Sequence, residues 1–293
     1  MTSTLNRNQP LLGIGLMVLS TAFLATKDGL AKTFLDQVGP VQIIWVQYVG
    51  NFIAMALISA PRHGWNVIAP RPLGWQLFRG TASAAGVATL YWALTYIPLA
   101  DATAMFMLAP VVVTMLSPLL LGERIGLHRW IAVGVGFVGV VCILRPGGGG
   151  DMRGYYIALL AGFLLGFYFI GNRRLAGLAP PLLNVTHNAL MGGLGLTLFL
   201  PLFWQPIPAP AIPKLAGIVG LAIIGQALMI SAFNYAAAAV VAPFTYAMLV
   251  FAAIIGYVVF GTVPDVPTWI GMMLIVGAGL YIAHRERQAA AKR

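Results

Sequence analysis

Polar side chains are rare in this chain of 293 residues, and those that interrupt its apolar stretches are the candidates for chemistry. Lys27 and Asp28 stand side by side in the first stretch. Because Asp28 precedes Lys32 by four positions, these two are expected to form an ion pair on one helix face. Lys27 would then point about 100° away around the helix without a partner. Its ammonium either reaches the membrane interface along its carbon stem or faces a cavity and attracts a carboxylate ligand.

Amide and imidazole side chains mark three further stretches. Gln47 and Asn51 are four residues apart and therefore share one helix face. His187 and Asn188 belong to a polar stripe in the seventh stretch, and Gln226 lies near the middle of the eighth. Any one of them could simply form a hydrogen bond to a neighbouring helix. Because polar groups at membrane depth are costly, several polar helices in one bundle favour a polar-lined cavity.

Aromatic residues supply the remaining candidates. Tyr91, Trp92, Tyr168 and Tyr246 lie deeper in their stretches than an interfacial belt requires. They either pack in the core or form cavity walls suited to an apolar or aromatic ligand group. The candidate substrate-binding residues are therefore Lys27, Gln47, Asn51, Tyr91, Trp92, Tyr168, His187, Asn188, Gln226 and Tyr246.

Ten apolar runs carry these residues and fill nearly the whole chain. Most reach the roughly 20 residues with which a helix crosses about 30 Å of hydrocarbon. Backbone amides in lipid must be satisfied within their own segment, so the runs are predicted to be helices. The expected fold class is all-α integral membrane, with ten transmembrane helices. The runs are Leu11–Leu35, Val41–Ala60, Leu77–Ile97, Ala102–Leu121, Trp130–Leu144, Tyr155–Ile170, Leu182–Phe203, Leu215–Ala237, Ala242–Phe260 and Trp269–Ala283.

Composition and charge exclude other classes. With 60% hydrophobic and 8% charged residues, the chain cannot be a soluble domain. The net charge of +10 is scattered over short loops, so no nucleic-acid partner is expected. Basic residues, among them Arg62, Arg71 and Arg79, concentrate on the side of the N-terminus, which predicts two cytoplasmic termini in a bacterial inner membrane. The single Cys142 supports neither a disulfide framework nor a thiolate metal site.

The two halves of the chain resemble each other. A shift of 139 residues places Tyr96 on Tyr235 and Trp130 on Trp269 without a gap. Because each copy holds an odd number of helices, the copies must lie in opposite orientations, an arrangement typical of secondary transporters. We expect a first five-helix repeat at 1–146, a glycine linker at 147–150, an inverted second repeat at 151–284 and a basic cytoplasmic tail at 285–293.

The stretches Leu108–Pro110 and Leu119–Arg124, followed by Trp130–Ile131 and a glycine-rich fifth helix, resemble the EamA-type ten-helix exporters of the drug/metabolite transporter superfamily. In the second copy, Leu249 replaces the proline and Thr262 the glutamate. The resemblance implies a central cavity lined by helices one to four and six to nine, with five and ten peripheral. The aromatic and apolar amino-acid exporters are the most similar subgroup.

Two motifs suggest other functions. The glycines at 134, 136 and 139 match the dinucleotide fingerprint, but they lie within an apolar helix instead of a strand-to-helix turn. We interpret them as helix-packing positions and expect no cofactor. The four histidines are far apart and no catalytic motif is present, so an enzyme is not expected. A membrane-embedded enzyme is the remote alternative.

The sequence therefore predicts an inner-membrane transporter that exports amino acids with aromatic or apolar side chains, or similar metabolites, by alternating access. The alternative is a proton-coupled multidrug or nucleoside exporter. Asp28 and His187 are the coupling candidates, and Pro110 is expected to bend the fourth helix. The hairpins at Pro98–Asp101 and Ala238–Val241 are expected to gate opposite faces. The expected partners are a small-molecule substrate and membrane lipid. A monomer is expected, with a dimer through the peripheral helices as the alternative.

Overall fold

The computed structural model describes residues 9–122, 126–144 and 151–291, and this part of the chain is helical without a strand. The linker at 147–150 and Glu123–Arg124 lie outside the described residues. Two 3₁₀ segments, Gly64–Val67 and Ala242–Tyr246, accompany the α-helices. The α-helices are α1 (Pro10–Lys32), α2 (Pro40–His63), α3 (Leu73–Ala93), α4 (Leu99–Phe106), α5 (Ala109–Leu120), α6 (Leu127–Leu144), α7 (Met152–Leu175), α8 (Pro181–Phe203), α9 (Ala211–Tyr235), α10 (Ala238–Val241), α11 (Ala247–Phe260) and α12 (Val266–Ala291).

Ten membrane spans result from these elements. Nine segments of the described chain are long and apolar enough to cross a membrane, counting α4 with α5 as one. The tenth is α3, which is less apolar because it carries Gln76 and Arg79 in its first turns. Its 21 residues rise about 31 Å, which still matches the hydrocarbon thickness.

The fourth and ninth spans are both broken. Met107 and Leu108 separate α4 from α5, and Pro110 is the second residue of α5. Pro110 has no backbone N–H and its ring crowds the carbonyl four residues earlier, so the helix break at Met107 and Leu108 agrees with the bend expected at this proline. In the second half, the 3₁₀ segment Ala242–Tyr246 separates α10 from α11. The repeat shift of 139 residues relates Met107 to Tyr246, so the break is kept although the second copy has Leu249 at the position of the proline.

Contacts between the two halves follow a two-fold symmetry, in which each helix can be exchanged for its mate in the other repeat. Helix α3 packs on α7, and its repeat mate α9 packs on α1. Likewise α1 contacts α11, and α7 contacts α5. Two further pairs, α2 with α8 and α6 with α12, join each helix to its own repeat mate. The chain is therefore built from two inverted five-helix repeats.

Glycines set the closest approach between the repeats at the fifth and tenth spans. A β-carbon at Gly139 would lie 2.8 Å from the Gly271 carbonyl oxygen, and one at Gly271 would lie 2.6 Å from the Gly139 oxygen. Within the first repeat, Gly136 lets α6 pack closely on the Val111 side chain of α5. Two glycines of the dinucleotide-like motif thus allow helices to meet, as the sequence indicated.

Candidate functional site

A cavity of about 760 Å³ lies between the two repeats. One end is lined by the exposed Arg173 and Ala176 at the end of α7, on the face of the bundle where α1 begins and α12 ends. We call this the terminus face. The other end is lined by the buried Lys27 and Asp28. The cavity therefore reaches solvent at the terminus face and is closed toward the opposite face.

Helices from both repeats contribute walls. Residues of α1, α2, α3, α7, α8 and α9 line the cavity together with both broken spans, whereas α6 contributes no lining residue among those described. The tenth span was expected to be peripheral. Its C-terminal part, from Gly279 to Ala283, nevertheless lines the cavity because Gly279 lets this helix approach Tyr246 closely.

Lys27 and Asp28 form an ion pair at the closed end. Tyr91 completes the cluster, because its hydroxyl donates to the Asp28 carboxylate at 2.8 Å and lies 3.1 Å from the Lys27 ammonium. The predicted pair of Asp28 with Lys32 is wrong. Lys32 instead donates to the carbonyl oxygen of Ile97, beyond the end of α3. Burial explains the difference, since a lysine with 6% exposure needs a counter-ion more than Lys32 at the helix end.

Amide side chains surround the middle of the cavity. Gln47, Asn51, Asn188 and Gln226 all line it, so four helix-borne candidates lie together. The side-chain oxygens of Gln47, Asn51 and Asn188 are buried without a hydrogen-bond partner among the described residues. The Asn188 amide nitrogen lies 3.4 Å from the Ser83 hydroxyl. Because unpaired buried polar groups are costly, these oxygens indicate a place where a ligand or water binds.

Aromatic rings form another part of the wall. Tyr168, Phe169, Phe106 and Phe233 line the cavity. Tyr246 also lines it, and its hydroxyl is buried without a partner in the described part of the chain. Together with the amides, the rings can bind a planar group by stacking and its edge by hydrogen bonds.

Three candidates lie outside the cavity. Tyr91 is fully buried behind Lys27. Trp92 is 44% exposed on the outer surface of the bundle, edge-to-face with Phe203. His187 is buried beside the 3₁₀ segment Gly64–Val67, where its Nε2 lies 2.7 Å from the Asn66 carbonyl oxygen. Neighbouring residues on a helix do not share a face, so Trp92 points away from Tyr91, and His187 away from Asn188.

Arg79 is a residue that sequence reasoning missed. It was counted among loop charges, but it lies in α3 with 2% exposure. Its Nη2 donates to the Asn184 carbonyl oxygen at 2.7 Å and to the Gln76 side chain at 2.8 Å. Its Nη1 lies 3.4 Å from the side-chain oxygen of Asn172, which lines the cavity. The available signal was the spacing of Gln76, Arg79 and Ser83, which places all three on one helix face.

The site offers binding chemistry. Among the described residues, no group of three histidine, cysteine, aspartate or glutamate side chains could hold a metal ion. The cavity instead combines hydrogen-bonding amides, aromatic rings and a neutralised ion pair.

Two inverted repeats around a central cavity that opens at one face define a membrane transporter. A family model described as the EamA-like transporter family matches residues 11–145 and again residues 152–283. The chain therefore belongs to the EamA-like transporter family.

Relatives agree with this class, and a solved structure shares the fold. The chain is 29% identical over 215 residues to a riboflavin transporter of Vibrio cholerae, spanning 73% of this chain and 72% of that protein. It is 31% identical to a riboflavin transporter of Rhizobium johnstonii, over 74% and 73% of the two chains. An S-adenosylmethionine uptake transporter of Rickettsia bellii is 24% identical over 96% of this chain and 97% of that protein. A crystal structure with 22% identity shares the fold at a TM-score of 0.59, covering 95% of this chain and 97% of that one.

Proposed function

We propose that this chain carries a small metabolite with a planar ring and several hydrogen-bond donors across the bacterial inner membrane by alternating access. The observation that carries the proposal is a set of oxygens without a hydrogen-bond partner among the described residues, on the walls of an aromatic cavity: those of Gln47, Asn51, Asn188 and Tyr246. A ligand with ring N–H and hydroxyl groups would satisfy them. Its planar ring would stack on side chains such as Tyr168.

The size of the cavity supports a flavin- or nucleoside-like ligand. About 760 Å³ lies within the range of roughly 300–1,000 Å³ that is typical of sites for drug-sized ligands. The relatives named for riboflavin and S-adenosylmethionine handle molecules that join a heteroaromatic ring to a polar chain. A neutral molecule suits the closed end of the cavity, because the Lys27 ammonium is already paired with Asp28.

Amino acids with aromatic or apolar side chains are the second candidate. The Lys27–Asp28 pair presents one charge of each sign to the cavity, which complements a zwitterion. The aromatic walls would then hold the side chain. Export follows if the cytoplasmic concentration of the substrate is the higher one.

In alternating access, this conformation would interconvert with one in which the cavity opens at the opposite face and is closed at the terminus face. The concentration of basic residues supports a cytoplasmic location of the terminus face, and in that orientation the cavity described here would be inward-open. The opposite face is held shut by contacts between helix ends, among them Gln42 with the backbone of Gln205 at 2.7 Å. The broken spans α4–α5 and α10–α11 would serve as the hinges that open one hairpin and close the other.

Flux in proteoliposomes tests the proposal. Riboflavin, adenosine and phenylalanine would each be measured as radiolabelled counterflow, with and without a pH gradient. We expect riboflavin or adenosine to exchange faster than phenylalanine, and Asn188→Leu to reduce the flux about tenfold. Trp92→Phe, outside the cavity, should leave it unchanged. The absence of counterflow for all three compounds would refute the proposal.

A further inference from the structure

Arg79 lies against the cavity wall as a buried cation. Its guanidinium contacts amide and carbonyl oxygens of Gln76, Asn172 and Asn184. The Nε atom has no hydrogen-bond partner in the described part of the chain. Three helices therefore position the group, since Gln76 belongs to α3, Asn172 to α7 and Asn184 to α8.

No described carboxylate cancels this charge. Among the described residues, the ion pair with a nitrogen-to-oxygen distance below 4.0 Å is that of Lys27 with Asp28. This pair lies at the other end of the cavity. Amide dipoles solvate a guanidinium but leave its unit charge in place. The contrast between the two sites is clear, because the lysine is neutralised by its neighbour whereas the arginine is not.

From this contrast we infer that Arg79 sets the charge selectivity of the cavity, favouring neutral and anionic substrates over cationic ones. The inference rests on the proposed transport function and narrows its substrate class. Asn172 separates Arg79 from the cavity by a single side chain, since it contacts the guanidinium and also lines the wall. A charge that is one side chain away from the cavity interacts strongly with a charged molecule inside it, because burial keeps the effective dielectric constant low. It raises the local concentration of anions and lowers that of cations along the path from the terminus face.

Cysteine modification measures this potential without any substrate. In a Cys142→Ser background, Val185→Cys would place a thiol on the cavity wall next to Asn184. Its reaction rates in detergent would be compared for two reagents of similar size, the anionic sulfonatoethyl and the cationic trimethylammonioethyl methanethiosulfonate. Because the reagents differ by two unit charges, the ratio of their rates reports the potential at this wall.

Two variants remove the charge by different means. Arg79→Gln deletes it, whereas Asn172→Asp keeps the arginine and places a carboxylate 3.4 Å from its Nη1 in a side chain of nearly equal shape. We expect both to lower the anion-to-cation rate ratio about tenfold, and Arg79→Lys to keep it. The uncharged methyl methanethiosulfonate should react at the same rate in all variants, which controls for folding and access.

A second thiol tests the locality of the effect. Leu280→Cys lies on α12, which shares no substantial contact with α3, and its rate ratio should change less. A ratio at Val185→Cys that stays within twofold of the parent in both charge variants would overturn the inference. Since no transport is measured, a failed flux assay would leave this result standing and would count against the proposed function alone.

Discussion

The hydroxyl of Tyr246 lies directly against Gly279, where a β-carbon would overlap it. Tyr246 ends the 3₁₀ segment that breaks the ninth span, and Gly279 lies on α12. Both residues line the cavity. The contact therefore connects a hinge to the wall that the substrate would touch.

Replacing Gly279 should impair transport through this contact. Gly279→Ala forces the Tyr246 ring out of its position. We expect counterflow of the substrate to fall about tenfold, because a displaced Tyr246 no longer holds the substrate in the right geometry. Gly277→Ala on the same helix is the matched control, since a β-carbon there meets nothing within 4 Å. Equal flux in the two alanine variants would show that the position of Tyr246 does not matter.

The buried ion pair predicts an effect on stability. Asp28→Asn removes the counter-ion of Lys27, and we expect the free energy of unfolding to fall by about 3 kcal/mol, because an uncompensated buried charge remains. The apparent melting temperature in detergent measures this. Asp36→Asn is the control, since Asp36 is exposed just beyond α1. A double variant, Lys27→Met with Asp28→Leu, should recover most of the loss, and a double variant less stable than Asp28→Asn would contradict this account.

Unpaired amides should affect binding more than stability. Asn51→Leu removes a buried oxygen that has no described partner. We expect a Kd for the transported substrate about tenfold higher, with an unchanged or slightly raised melting temperature. Gln42→Leu should instead lower the melting temperature and leave the Kd unchanged, because Gln42 forms a hydrogen bond with the backbone of Gln205 outside the cavity. Titration by intrinsic fluorescence gives both Kd values, and a lower melting temperature in Asn51→Leu would assign that residue to helix packing.

The sequence predicted which helices carry the site more reliably than which side chains face it. Gln47 and Asn51 follow from spacing alone, because residues four apart share a face. Trp92 and His187 were misplaced because hydropathy does not determine how each helix is rotated about its axis. The cluster around Lys27 includes Tyr91, which comes from another helix. Arg79 resembles a loop charge in the sequence, but it lies inside α3. The Tyr91 contact is a tertiary fact without a local pattern, whereas the spacing of Gln76, Arg79 and Ser83 was a local signal for a shared helix face.

The bond between Lys32 and the Ile97 carbonyl should help to keep the opposite face closed. It joins the end of α1 to the turn after α3. Lys32→Met removes the donor, and we expect the outward-open state to gain about fivefold in population, since a partly exposed charged hydrogen bond contributes about 1 kcal/mol. Labelling of Leu24→Cys in a Cys142→Ser background, with an impermeant maleimide added outside spheroplasts, measures this population. Lys32→Arg keeps a donor at the same position and should label like the parent. If Lys32→Met also labels like the parent, closure of this face depends on other contacts, such as the bond between Gln42 and Gln205.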